Sequence, residues 1–249
     1  MTTYDQNTFW ELIFSQDPDN IDEGMELLKS THPQTIKKIF AEVGWKVMDE
    51  DALYERLEEH AYLTLYLLGV MHDFEVEWVV ELYSFEVDDT ELRRLPNLIG
   101  NLTNLTWLGL YKNKLTTLPQ SFENLTNLTW LGLYKNEFTT LPDCIGKLTS
   151  LEELNLDHNQ LTTLPESIGN LTNLKSLYLE SNELTNLPDP IESLIKLTNL
   201  DLGDNDFTIL PEWIGNLANL TYLDLFKNEM TTSEQARIRA LLPNCDIEF

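Results

Sequence analysis

The chain has 249 residues, 42% of them hydrophobic, and a formal net charge of −26. That is enough apolar material for a core, and it excludes a compositionally disordered chain. Residues 1–95 hold 22 acids and 7 bases, and residues 96–249 hold 20 and 9, so the whole surface is acidic. Such a surface repels nucleic-acid phosphate and anionic lipid and favours basic partners.

Met1-Thr2-Thr3-Tyr4-Asp5 lacks the basic start of a secretion signal, and no apolar run approaches the ~18 residues of a membrane span. Cys144 and Cys245 stand far apart, which points to a reducing compartment and a cytoplasmic location. Asn-x-Thr sequons at Asn101, Asn104, Asn124, Asn127, Asn170 and Asn219 follow from a repeat consensus; without a secretion signal they carry little weight.

Residues 1–81 read as a small α-helical domain. Phe9, Trp10, Leu12 and Ile13 fit one helix. Ile21, Met25 and Leu28 fit a second, opened by Asp19 or Asn20. Ile36, Ile39, Phe40 and Val43 fit a third, and Leu53, Leu57, Ala61, Leu65 and Leu68 a fourth that ends at Gly69. Spacings of three and four carry these assignments. Phe74-Glu75-Val76-Glu77-Trp78 alternates like a strand, yet Asp73 can cap a helix there, and helix is the reading adopted. The domain covers the apolar end of the repeat array that begins at residue 82, or adds a second binding surface. The acidic stretch from Asp17 to Gly24 has a faint calcium-loop pattern, but Ile21 and Asp22 occupy its fifth and sixth positions, where an oxygen ligand and Gly are needed. A solvated acidic turn is expected.

From residue 82 a 23-residue period takes over. Leu-x-x-Leu-x-Leu-x-x-Asn begins at Leu105, Leu128, Leu151, Leu174, Leu197 and Leu220. A degenerate unit at 82–104 precedes them, with Phe85, Val87, Leu92, Leu95-Pro96 and Ile99 in register and Thr90 in the Asn slot. Trp107-Leu108-Gly109-Leu110-Tyr111 alternates as a short strand with one buried face. The Asn residues (Asn113, Asn136, Asn159, Asn182, Asn205, Asn228) both donate and accept, so they can satisfy backbone groups left unpaired by the turn. Leu-Pro forces an extended return, and the remaining residues allow one short turn but no long helix. The pattern breaks after Met230, where Ser233-Glu234 stands in place of Leu-Pro. Ser233 is the expected N-cap of a closing helix, Pro243 its stop, and residues 245–249 a final edge strand, together a cap over about 232–249. Residues 102–119 and 125–142 differ at two positions (Lys114/Glu137 and Leu115/Phe138), a sign of internal duplication.

These units, with Leu-Pro-x-x-Ile-Gly-x-Leu-Thr-Asn between strands, resemble the 23-residue leucine-rich repeats of Ras-suppressor-type, plant intracellular Ras-group and many bacterial repeat proteins. The resemblance covers residues 82–249. It implies an α+β chain: a leucine-rich repeat solenoid, with a parallel β-sheet on its concave face, behind the helical N-terminal domain. It also implies a non-catalytic binding scaffold.

No catalytic or metal constellation is present in the sequence. His32, His60, His72 and His158 are scattered, and neither a phosphate loop nor a Gly-x-Ser-x-Gly elbow occurs. No cofactor is expected. The informative residues lie between the buried leucines, on the concave face. Of the 21 such positions from Ser84 to Phe226, seven are aromatic, seven acidic and none Lys or Arg. Trp107 and Trp130 should be neighbours at ~4.8 Å, as should Tyr111 and Tyr134, with Gly109 and Gly132 leaving a shallow floor. Grouped exposed aromatics are typical of binding hot spots; the competing account is cross-strand packing alone.

The partner-binding set is Trp107, Tyr111, Trp130, Tyr134, Glu153, Asp157, Tyr178, Glu180, Asp201, Tyr222, Asp224 and Phe226. The expected partner is a locally basic protein or peptide, with no role for nucleic acid or membrane. An acidic inhibitor or immunity protein for a basic toxin or nuclease is the sharper alternative. The third is an adaptor or effector whose helical domain carries the activity.

Overall fold

The computed structural model describes residues 17, 19–23 and 83–249. The helices expected within 1–81, and the stretch from Phe74 to Trp78, lie outside the described residues except for a helical turn at 19–23.

Eight strands form one all-parallel sheet in strict chain order. They are β1 (Ser84–Glu86), β2 (Trp107–Gly109), β3 (Trp130–Gly132), β4 (Glu153–Asn155), β5 (Ser176–Tyr178), β6 (Asn199–Asp201), β7 (Tyr222–Asp224) and β8 (Asp246–Glu248). Each is three residues long with a buried central side chain, from Phe85 through Leu108 to Ile247. The register advances by one repeat per strand, pairing Trp107 with Trp130 and Trp130 with Glu153.

Each Leu-Pro leads the chain out of the turn. Pro96, Pro119, Pro142, Pro165, Pro188 and Pro211 have φ from −74 to −64° and ψ from 144 to 154°. Each opens a five-residue 3-10 helix on the convex side, such as Asp143–Lys147. Ring-fixed φ explains the extended entry, and the short span explains why no α-helix forms there.

The Asn ladder joins consecutive repeats. Asn159 donates from Nδ2 to the carbonyls of Leu133 and Leu156, and its Oδ1 accepts from Phe138 N–H. Asn136, Asn182 and Asn205 do the same one or two repeats along. These amides are buried, so each satisfies backbone groups that water cannot reach. At the first unit both Thr90 N–H and Thr90 Oγ1 donate to Asn113 Oδ1. The residue before each Asn adopts a left-handed backbone, from Lys112 (φ 47°) to Lys227 (φ 59°), although none of them is Gly.

Two ends close the apolar stack. At the N-terminal end Ile21 is buried in the common core, and Arg94 bonds Asp19 at 2.7 Å and Asp22 at 3.0 Å. The acidic turn is therefore docked on the first repeat rather than merely solvated. At the C-terminal end the helix Thr232–Leu241 starts two residues before the expected position. Thr231, not Ser233, is its N-cap, and accepts from Glu234 N–H at 3.2 Å. Glu234, buried in the slot where Pro was due, accepts from Leu210 N–H, and Arg237 donates to Leu210 C=O. One ion pair thus substitutes for the backbone of a missing next repeat.

Candidate functional site: the concave face

Alternation along each strand puts the first and third residues of the triplet on the concave face and the middle one in the core. In-register stacking then sorts these residues into rows running across the sheet. One row reads Ser84, Trp107, Trp130, Glu153, Ser176, Asn199, Tyr222, Asp246.

The aromatic group lies on β2 and β3. The Trp107 and Trp130 rings are parallel, 4.5 Å apart and 10° from coplanar. Trp130 Nε1 donates to Glu153 Oε1 at 2.7 Å, which fixes the indole's orientation. Tyr111 meets Trp130 edge-on at 5.7 Å and Trp107 at 6.3 Å.

Three expectations need correction here. Tyr111 does not pair with Tyr134; it turns toward the tryptophans, and Tyr134 packs edge-on against His158 at 5.2 Å. The floor over Gly109 and Gly132 is not open. A Cβ at either glycine would collide with the Tyr111 ring, so that ring fills the volume they vacate. Finally, Trp107, Tyr111, Trp130 and Tyr134 are half-buried rather than fully exposed, because they cover one another.

The acidic group runs from β4 to β8. Asp157, expected to face solvent, is only 9% exposed. Its Oδ1 accepts from Glu180 N–H at 2.7 Å. Burial pushes its carboxyl up to about 7, aided by the nearby charges of Asp201 and Glu180 and opposed by that backbone hydrogen bond. Asp201 accepts from Gly203 N–H, and burial together with Asp224, Glu180 and Glu248 raises it to about 6. Asp224 accepts from Phe226 N–H at 2.7 Å and from the Tyr222 hydroxyl at 3.2 Å. Burial and the surrounding carboxylates push the Tyr222 phenol up to about 12.

These carboxylates are therefore partly committed to their own backbone. Glu153, Tyr178 and Glu180 are half-buried in the rows, and Phe226 stays 53% exposed at the far edge.

Sequence reasoning missed Glu248 and Asp246. They extend the rows on β8, Glu248 opposite Asp224 and Asp246 opposite Tyr222. The alternation in residues 246–248 is the available signal, but they sit 24 residues beyond their partners and fall out of the 23-residue phase. Lysines line the rim of this face. Lys112 pairs with Asp88 at 3.1 Å and Lys227 with Asp204 at 3.4 Å. Lys135 Nζ sits 5.0 Å from the Tyr134 ring centroid.

Among the described residues no group of His, Cys, Asp or Glu is placed to hold a metal ion, and no helix is long and apolar enough to cross a membrane.

Parallel three-residue strands in chain order, an Asn ladder and 3-10 convex turns define a leucine-rich repeat solenoid. The family model for leucine-rich repeat regions matches residues 72–160 and 154–241, and the chain belongs to that family.

Among solved structures it is similar to an internalin (inlF) of Listeria monocytogenes, with 28% identity over 68% of this chain and 48% of that one (TM-score 0.59). It is similar to internalin C2 of the same organism, with 30% identity over 66% and 69% (TM-score 0.55). A leucine-rich repeat protein of Leptospira interrogans matches at 33% identity over 71% and 57% (TM-score 0.48). The chain spans about half the length of the Leptospira protein and of inlF. No curated protein matches it. Proteins of this family serve as protein-interaction modules, and its bacterial relatives share the repeat architecture.

Proposed function

We propose that this protein is a non-catalytic interaction module that binds a locally basic protein or peptide across its concave face. The observation that carries this is the Trp107–Trp130 stack, 4.5 Å between centroids, held half-exposed on a rigid sheet beside carboxylates and with no Lys or Arg in the rows. Aromatic side chains lose little freedom on binding and bury a large area. The acids from Glu153 to Glu248 supply attraction for Lys and Arg and speed encounter.

Cys144 and Cys245 are both free thiols, which supports a reducing, cytoplasmic setting. The acidic row favours one second reading, an inhibitor or immunity protein for a basic toxin or nuclease.

The test is affinity capture from a lysate of the source organism, at low and high salt, with the wild type and the Trp107→Ala/Trp130→Ala variant. A partner held by the wild type, lost by the variant and weakened by salt is expected. Equal recovery by both proteins would overturn the concave-face reading. A single cationic enzyme held very tightly would favour the inhibitor.

A further inference from the structure

Among the described residues, Trp107 on β2 and Glu86 on β1 bring an unstacked ring face and a carboxylate to the same part of the concave face. Trp107 is stacked through one face, against Trp130. On its other side β1 presents Ser84, its register partner, which is small and exposed. Among the described residues no ring or cation lies against that second face; the other ring contact of Trp107, with Tyr111, is edge-on.

The sheet repeat is ~4.8 Å, close to the spacing of stacked planes, so a third planar group fits where Ser84 leaves the row empty. Farther along β1 is Glu86, half-buried and packed beside Tyr111. Its carboxyl lies above the usual range, through burial first and then the charge of Asp88, with Lys112 opposing. Asp88 Oδ2 accepts from Lys112 Nζ at 3.1 Å, so that lysine is taken up at the rim and leaves Glu86 without a direct cation partner among the described residues.

Resting on the concave-face reading, we propose that this place is an arginine slot: a partner's guanidinium lies flat on the outer face of Trp107, above Ser84, and donates to the carboxylate of Glu86. Arginine fits better than lysine because its planar, weakly hydrated head stacks on a ring while its in-plane N–H groups reach carboxylates. The acidic rows on β6 to β8 lack a stacked ring face and have no such preference.

The test is an NMR titration of the full chain with acetyl-Gly-Arg-Gly-amide and, separately, its lysine analogue. The arginine δ-methylene protons should move upfield, the ring-current mark of stacking, with affinity about fivefold tighter than for the lysine peptide. Glu86→Gln should weaken binding severalfold. Ser84→Trp, which fills the slot with a third ring, should abolish the shift. Trp107→Leu, which removes the ring face, should abolish it too, and Ser84→Trp keeps the test valid where Trp107→Leu fails to fold.

Equal binding of both peptides, lost in Asp201→Asn/Asp224→Asn but not in Ser84→Trp, would overturn the slot and leave the acidic concave reading standing. No upfield shift in the wild type would likewise overturn the slot, and the capture experiment judges the broader reading by itself.

Discussion

The indoles of Trp107 and Trp130 lie parallel at 4.5 Å on strands paired in register. In the proposed function the arrangement serves binding, and its contribution to stability is the smaller part. An aromatic pair contributes ~0.5–1.5 kcal/mol beyond its buried area. Trp107→Ala with Trp130→Ala is therefore expected to cost a few kcal/mol at most and to leave a cooperative urea transition with the wild-type slope. A loss well beyond the ~2–4 kcal/mol expected for a ladder Asn, or the loss of the cooperative transition, would make packing the main role of the stack.

The Asn ladder is the opposite case. Asn159→Ala strips partners from the Leu133 and Leu156 carbonyls and from Phe138 N–H, all beyond easy reach of water. The expected loss is ~2–4 kcal/mol, from orphaned buried groups. Asn228→Ala, at a half-exposed site near the C-terminal end, should cost less, and chemical denaturation of the two variants side by side gives the comparison.

Two glycines in the same Ile-Gly-x-Leu context should respond differently. A Cβ at Gly146 would collide with the carbonyl oxygen of Ser167 in the next repeat, whereas one at Gly215 would sit 3.4 Å from Leu241 Cβ. Gly146→Ala should destabilise by ~1–3 kcal/mol through forced backbone movement, and Gly215→Ala should be near neutral. Thermal melts of both would settle the ranking, and equal effects would refute the close-approach argument.

Asp157 predicts a pH dependence. Its folded pKa, about 7, lies above the ordinary value of 3.8, so between those values the folded state binds more protons than the unfolded chain. Stability from this group is fully present below its ordinary pKa of 3.8 and is lost as pH rises from there through about 7. The melting midpoint should be higher at pH 5 than at pH 8. Asp157→Asn keeps an acceptor for Glu180 N–H and should shrink that difference. An unchanged difference would assign the pH effect to the rest of the acidic surface.

Much of the geometry of the candidate concave face is legible in the sequence, and the departures have a common origin. Trp107, Trp130 and Glu153 fall in one row because a 23-residue period and a parallel register are the same statement. Tyr111 and Tyr134 occupy equivalent slots as well, yet they part company. Gly109 and Gly132 leave a volume that the Tyr111 ring fills, while Tyr134 has Asn155 and Asp157 in the next repeat and His158 as its ring partner. A repeat pattern specifies where a Cα stands, not which rotamer its neighbours leave open.

The sequence by itself determined the solenoid, its concave rows and the Asn ladder, since each unit solves the same local problem of one buried strand, one turn and one Leu-Pro return. The tertiary structure alone decided that Asp157 is buried, that Gly146 is crowded and Gly215 is not, and that Glu248 joins the acidic row from a strand 24 residues along. Those outcomes depend on the side chains and backbone that the adjacent repeat, or the cap, brings within a few ångströms, and a local pattern does not contain that contact.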